Sequence, residues 1–210
     1  MRLLLLSLGT GAVPGFLDAT VGTDRAATRI GYIDDAAVPH AGAPFVAAEH
    51  AALGRFGAAI TDITVGSLPD AEAVAAALAG LDAVYVCGGE SFALLAALRR
   101  TGGDTVLTAL VRAGLPYIGS SAGSIVTGRS LEPLSLMDDP ALGEGLTTRD
   151  GLGLVDTVVV PHADGALPPY PAPLIDRIVG EYGRDYPLTL LRDDQAVLVD
   201  DDGVRIVVSA

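Results

Sequence analysis

Short runs of apolar residues alternate along the chain with longer, alanine-rich stretches. The apolar runs predict strands at 3–8, 29–33, 60–65, 83–86, 117–119 and 154–161. The stretches between them predict helices at 44–56, 70–79, 91–100, 105–113, 121–127 and 173–182. The first five predicted strands are mostly continuous apolar runs, which is typical of parallel strands covered by helices on both faces.

The C-terminal tail has a different pattern. Segments 187–191, 195–199 and 204–209 are strand-like, and Asp200-Asp201-Asp202-Gly203 predicts a turn between the last two. We therefore expect a three-layer α/β fold with a mostly parallel central sheet flanked by helices, plus a C-terminal antiparallel hairpin at the sheet edge. Residues 136–153 predict a long loop. No repeat or linker divides the chain, so a single domain is expected over 1–210.

The charge is strongly negative, since 26 acidic side chains stand against 13 basic ones and the net charge is −13. Such a surface repels phosphate backbones and anionic lipid, so we expect binding to neither nucleic acid nor a membrane. All of the basic residues are arginines. This excludes a Schiff-base lysine, a Ser–Lys dyad and the lysine of a P-loop. We expect no cofactor and no metal ion.

The cysteine content and the N-terminal segment indicate a compartment. Cys87 is the only cysteine, so no intrachain disulfide can form, which is typical of a reducing compartment. The apolar segment 3–8 is short and is followed by Gly9-Thr10-Gly11, so we interpret it as a buried strand and not as a signal peptide. No segment approaches the roughly 20 apolar residues that span a bilayer. We therefore expect a cytoplasmic protein.

A Gly-x-Ser-x-Gly sequence, centred on Ser121, follows the fifth predicted strand and leads into a segment of small residues that predicts a helix. In a nucleophile elbow, a tight turn of this kind strains the serine backbone and exposes its hydroxyl, and flanking glycines prevent clashes. We therefore predict that Ser121 is an activated nucleophile. The alternative is a strand-to-helix turn in which Ser121 only caps the helix.

Paired glycines follow the fourth predicted strand. Glycines allow backbone N–H groups to approach a ligand closely, so Gly88 and Gly89, together with the N–H of Ala122, are candidates for an oxyanion hole. The alternative is a plain helix N-terminus that Ser91 caps, with Glu90 placed favourably for the helix dipole.

His162 is the candidate general base for Ser121. It follows a strongly apolar strand and Pro161, and groups just beyond the carboxyl ends of parallel strands line the ligand crevice of an open sheet. The other histidines, His40 and His50, are predicted to be solvated. A carboxylate on Nδ1 would fix the tautomer of the base and stabilise its imidazolium form. Its candidates are Asp138, Asp139, Glu132 and Asp164.

Three segments together resemble the peptidase E family, which comprises aspartyl dipeptidases and their cyanophycinase relatives. These segments are Gly88-Gly89-Glu90-Ser91-Phe92, Gly119-Ser120-Ser121-Ala122-Gly123 and Pro161-His162. The resemblance covers nearly the whole chain and implies a class I glutamine amidotransferase-like fold. It also implies Ser121 as the nucleophile, His162 as the base and an oxyanion donor from Gly88 or Gly89.

The family's third catalytic member usually lies in an Asn-Asp-x-Pro-like segment downstream of the serine. Met137-Asp138-Asp139-Pro140 is the nearest match in this chain, a couple of residues further from the serine. Alignment of its proline with the family proline favours Asp138 as the catalytic acid, with Asp139 as the next candidate.

The resemblance implies a serine peptidase, dipeptidase-like and with Asp-Xaa as one substrate class, that hydrolyses short peptides through an acyl-enzyme. Family members usually have Gly-Gly-Asn-Thr where this chain has Gly-Gly-Glu-Ser. Ser91 preserves the hydroxyl, whereas Glu90 adds a negative charge that disfavours an acidic P1 side chain unless Arg129 or Arg149 compensates. Glu90 and Ser91 are the candidate substrate-binding residues. One hypothesis is that Glu90 pairs with the free α-ammonium of a short peptide.

The expected partner is a short peptide substrate, and a homodimer is left open. Two alternative functions remain. One is a non-catalytic small-molecule or protein-binding module of the same fold, and the other is an esterase of the α/β-hydrolase type, for which the spacing from Ser121 to His162 is short. Glutamine amidotransfer is less expected, because that chemistry uses a cysteine at the elbow.

Overall fold

The structure, a computed structural model, describes residues 1–210 and is built around a seven-stranded sheet. The strands are β1 (Leu3–Leu6), β2 (Arg29–Ile33), β3 (Ala59–Ile63), β4 (Ala83–Val86), β5 (Tyr117–Ser120), β6 (Val158–Val160), β7 (Leu188–Leu190), β8 (Gln195–Asp200) and β9 (Gly203–Val208). The strand order of the large sheet is β3-β2-β4-β5-β1-β8-β9. β6 and β7 form a separate two-stranded sheet.

Helices connect the strands and cover the sheet. They are α1 (Val13–Thr20), α2 (Pro44–Gly54), α3 (Ala71–Leu78), α4 (Ser91–Thr101), α5 (Gly103–Arg112), α6 (Ala122–Ile125) and α7 (Ala172–Tyr182). Short 3-10 helices at Asp35–His40, Glu132–Leu136 and Pro140–Leu142 lie in the connecting segments near the sheet's carboxyl edge. None of these helices has both the length and the apolar character that crossing a bilayer requires.

The first five strands are parallel, as the continuous apolar runs predict. Every residue of β1, β4 and β5 is buried, because helices cover both faces of the sheet centre. β8 pairs antiparallel with β1 and β9 pairs antiparallel with β8, which confirms the predicted C-terminal hairpin at the sheet edge. The fold is therefore the expected α/β architecture with a mostly parallel central sheet.

The sixth predicted strand is shorter than expected and does not join the large sheet. β8 already occupies the free edge of β1, so β6 instead pairs in parallel with β7, with Val160 opposite Leu190. The carboxyl ends of β6 and β5 lie close together, since the segment after β6 contacts the residues that follow β5 and β1.

The sequence pattern does not indicate α1. Pro14 and Gly15 make this segment look like a turn, but proline is well suited to the first turn of a helix, where its missing N–H needs no partner. Val13, Phe16 and Leu17 are buried against the core and account for the stability of the helix.

Candidate active site

Ser121 lies in the sharp turn between β5 and α6. Its backbone has φ 44° and ψ −105°, a conformation that non-glycine residues rarely adopt and that costs on the order of 1–3 kcal/mol. The Ser121 N–H donates to the Leu6 carbonyl at 3.1 Å, which fixes the turn to the end of β1. The side chain makes no capping hydrogen bond to α6. The alternative in which Ser121 only caps the helix is therefore not the observed arrangement.

The two glycines that flank Ser121 are required by close packing. A Cβ on Gly119 would lie 2.5 Å from the Gly123 carbonyl oxygen, and a Cβ on Gly123 would lie 2.1 Å from the Val86 carbonyl oxygen. Both distances are too short for any side chain. The Gly-x-Ser-x-Gly spacing thus lets the turn pack directly against β4.

His162 faces the serine hydroxyl. Its Nε2 lies 3.0 Å from Ser121 Oγ, and its Nδ1 lies 2.6 Å from Asp193 Oδ1. His162 is 2% exposed and has φ 58°, a left-handed conformation that histidine adopts more readily than most side chains. With Nδ1 protonated and donating to Asp193, Nε2 is the acceptor for the Ser121 hydroxyl proton.

Asp193, and not Asp138, is the carboxylate on His162, so the prediction from the sequence is wrong about which acid contacts the imidazole. Asp138 is buried and accepts the Ser91 N–H at 3.0 Å, because it supplies the acceptor that the first turn of α4 needs. The remaining candidates also bond elsewhere: Asp139 accepts the Ala141 N–H, Glu132 pairs with Arg149, and Asp164 accepts the Asp193 N–H.

Burial raises the pKa of Asp138 to about 6, although the hydrogen bond from the Ser91 N–H opposes the rise and the charge of Glu90 adds to it. Asp138 is thus a desolvated cap of α4 whose proton is lost close to neutral pH.

Ser7 is a site residue that the sequence analysis does not identify. It is fully buried just beyond β1, accepts the His162 N–H at 2.8 Å and donates to Asp193 Oδ1 at 3.1 Å. Its hydroxyl therefore fixes both the backbone of the histidine and the carboxylate that contacts the ring.

Tyr170 is a second residue that the sequence analysis does not identify. Its ring stacks on the His162 ring, with centroids 4.9 Å apart and planes inclined by 10°. Burial raises the pKa of the Tyr170 phenol, and the charges of Asp138 and Glu90 raise it further.

The backbone N–H groups of Gly89 and Ala122, near Ser121, have no acceptor in the protein. Gly89 has φ 135°, and a Cβ there would lie 2.1 Å from the Ala36 carbonyl oxygen, so only glycine fits. The Gly88 N–H, in contrast, donates to both oxygens of Glu49, at 3.1 and 3.3 Å. The prediction that Gly88 supplies a free donor is therefore corrected, whereas Gly89 and Ala122 remain available.

Glu90 does not cap α4, since it makes no capping hydrogen bond. Its Oε1 lies 3.1 Å from His40 Nε2, and its Oε2 accepts the Asp139 N–H at 3.3 Å. His40, which was predicted to be solvated, is thus partnered with a residue of the site. Ser91 is fully buried, and its hydroxyl has no well-formed hydrogen bond.

No arginine compensates the charge of Glu90. Arg129 pairs with Asp156, and Arg149 pairs with Glu132 and lies over the Phe92 ring. The other arginine ion pairs also involve carboxylates away from Glu90 and Glu49. No group of three or more His, Cys, Asp or Glu side chains has the arrangement of a metal site.

Comparison with known proteins agrees with this arrangement. Residues 4–207 match the model of peptidase family S51. An uncharacterized peptidase of Listeria innocua is 33% identical over 160 residues, which are 76% of this chain and 75% of that protein. Peptidase E of Streptomyces coelicolor is 34% identical over 169 residues, which are 77% of this chain and 64% of that protein.

A solved structure supports the same assignment. The crystal structure of a candidate peptidase E from Listeria monocytogenes EGD-e has a TM-score of 0.86 to this chain at 26% sequence identity. The match covers 100% of this chain and 98% of that one. Because the family model spans nearly the whole sequence and the curated relatives are peptidases, the chain belongs to peptidase family S51 and is a peptidase of the peptidase E type.

Proposed function

We propose that this peptidase is a serine enzyme that hydrolyses short peptides through an acyl-enzyme on Ser121. The observation that carries the proposal is the unbroken hydrogen-bonded chain from Ser121 Oγ through His162 to Asp193, at 3.0 and 2.6 Å. A nucleophile, a base and an orienting acid in this order are the parts that acyl transfer needs.

In the proposed first half-reaction, Ser121 Oγ attacks the scissile carbonyl carbon while His162 Nε2 takes the hydroxyl proton. Asp193 stabilises the imidazolium that forms. The N–H groups of Gly89 and Ala122 are the donors for the negative carbonyl oxygen, because neither is used within the protein. When the C–N bond breaks, its electron pair stays on the amine, which receives the proton from His162.

The second half-reaction reverses these roles. Water attacks the ester carbonyl of the acyl-enzyme, His162 accepts a proton from that water, and the same proton returns to Ser121 Oγ as the ester bond breaks. The products are a free carboxylate and the regenerated enzyme.

We further propose that the enzyme is an exopeptidase acting on dipeptides or other short peptides with a free amino terminus. Two carboxylates, Glu49 and Glu90, lie next to the glycine loop without an arginine partner. This charge favours a substrate that brings a positive group to the site. It does not favour an acidic P1 residue, so we expect Asp-Xaa dipeptides to be poorer substrates than neutral ones.

A fluorophosphonate probe tests the nucleophile. The folded protein should be labelled at Ser121, and Ser121→Ala should lose both labelling and dipeptide hydrolysis. Ser67→Ala is the matched control, because the Ser67 hydroxyl is exposed and bonds only to the Thr64 carbonyl. Normal turnover by Ser121→Ala would refute the acyl-enzyme mechanism.

A further inference from the structure

Glu49 is a carboxylate beside the proposed nucleophile that the acyl-transfer steps do not use. It projects from α2 and accepts the Tyr85 hydroxyl on Oε1 at 2.9 Å, and it accepts the Gly88 N–H on both oxygens. These contacts hold the carboxylate in one position on the glycine loop. They leave acceptor capacity on Oε2, since a carboxylate oxygen has two lone-pair sites.

The space next to Gly88 brings Glu49 close to Ser121. A Cβ on Gly88 would lie 3.5 Å from Glu49 Oε2, 3.5 Å from Ser121 Cβ and 3.7 Å from Ser120 Oγ. The Glu49 carboxylate and the Ser121 side chain therefore both border the space that a side chain at position 88 would enter.

An unpaired carboxylate at this place opposes the proposed reaction unless the substrate compensates its charge. Negative charge develops on the scissile carbonyl oxygen in the transition state, and a second negative charge nearby raises the energy of that state. The ion pairs of the chain include no cation bound to Glu49. A positive group on the acyl side of the substrate would remove this penalty.

We propose that Glu49 binds the free α-ammonium group of the substrate's first residue, an inference that rests on the proposed function. Glu49 would thereby direct cleavage to the first peptide bond of the substrate. The ammonium nitrogen is only two bonds from the scissile carbonyl carbon, so its partner must lie close to Ser121. Glu49 satisfies this condition.

Glu90, the candidate from the sequence, is less suited to the same role. Its Oε1 already lies 3.1 Å from the imidazole of His40, and its side chain is only 17% exposed, whereas no basic side chain pairs with Glu49. Glu49 is thus the specificity-determining carboxylate of the pair, and Glu90 organises the neighbouring loops.

The test compares kcat/KM for neutral dipeptides with a free amino terminus and for their N-acetylated counterparts. A hydrogen-bonded ion pair at a half-buried site predicts that the wild-type enzyme prefers the free form by about 10- to 100-fold. Glu49→Gln should lose that preference. The free dipeptides should slow because their ammonium group loses its partner, and the acetylated dipeptides should react at least as fast as with the wild type because the uncompensated charge is gone. Labelling of Ser121 by a fluorophosphonate should persist. Glu90→Gln should keep the preference, and Glu72→Gln, an exposed change on α3, is the control.

The outcomes separate this inference from the proposed function. If Ser121→Ala is inactive but Glu49→Gln keeps the preference, or if Glu90→Gln alone loses it, the role of Glu49 is overturned and the serine mechanism stands. If Ser121→Ala is active, the serine mechanism itself is overturned.

The Gln side chain can also disturb the Gly88 contact. If Glu49→Gln loses probe labelling, the affinities of Ser121→Ala and of Ser121→Ala/Glu49→Gln for free and acetylated dipeptides replace the kinetic comparison. The first protein should prefer the free form and the second should not; equal preference in both overturns the proposal.

Discussion

Replacement of Asp193 by asparagine tests which carboxylate supports the base. Asp193→Asn keeps the size of the side chain and can keep a hydrogen bond to His162 Nδ1, but it removes the negative charge that lies 2.6 Å from the ring. The imidazolium that forms during acylation then loses its counter-charge, so kcat should fall while substrate binding changes little.

The size of the effect follows from the distance. Opposite unit charges 2.6 Å apart attract by about 6 kcal/mol at an effective dielectric constant of about 20. The Asp193 side chain is 20% exposed, and asparagine retains a neutral hydrogen bond, so roughly half of this value should be lost. A loss of about 3 kcal/mol corresponds to a decrease in kcat of about 100-fold.

Asp138→Asn is the matched control for this assay. Its amide oxygen can still accept the Ser91 N–H, and the residue does not contact His162, so kcat on a dipeptide should stay close to wild type. Steady-state kinetics of the two variants at one pH decide between the acids. A large loss of kcat in Asp138→Asn with near-normal activity of Asp193→Asn would refute the assignment of Asp193.

Two further changes probe the surroundings of the base. The pKa of Asp138 is raised to about 6 in the folded protein, so the unfolded chain loses this proton at lower pH than the folded one. Asp138 therefore lowers the free energy of unfolding by up to about 3 kcal/mol as the pH rises from about 4 to about 6. Urea denaturation over this pH range should show the decrease in the wild type and its loss in Asp138→Asn. Tyr170→Leu should lower kcat/KM by about fivefold, because stacking on the His162 ring contributes about 1 kcal/mol. Tyr170→Phe, which keeps the ring, and the control Tyr182→Leu should leave kcat/KM near the wild-type value. Equal activity of the Leu and Phe variants at position 170 would contradict a role for the stacked ring.

The sequence predicts the parts of the site that are local in the chain. The turn around Ser121 requires glycines on both sides, and those glycines are visible as a pattern together with the strand before them and the helix after them. His162 is visible for a similar reason, because it directly follows an apolar run. The central strands are predicted well too, since burial on both faces makes their composition distinctive.

Asp193 could not be predicted in the same way, because its role depends on which strands are neighbours. It lies just beyond β7, in a segment whose paired aspartates look like an exposed turn. Only the parallel pairing of β6 with β7 brings it beside His162. The pair Asp193-Asp194 near a strand end is the signal that the sequence offers. It indicates a partner for His162 only once β6 and β7 are known to form a sheet of their own.

This division into two sheets explains why Ser7 matters. Ser121 follows a strand of the large sheet, whereas His162 and Asp193 follow the two strands of the small sheet. A shift of one sheet against the other would lengthen the contact between Ser121 and His162. Ser7 follows β1 of the large sheet and bonds both the His162 backbone and the Asp193 carboxylate. A single buried hydroxyl therefore links these two residues to the strand that pairs with β5, which leads to Ser121. The relative positions of Ser121, His162 and Asp193 are therefore set by packing between the sheets and by the Ser7 hydroxyl. No motif in the sequence indicates this role of Ser7.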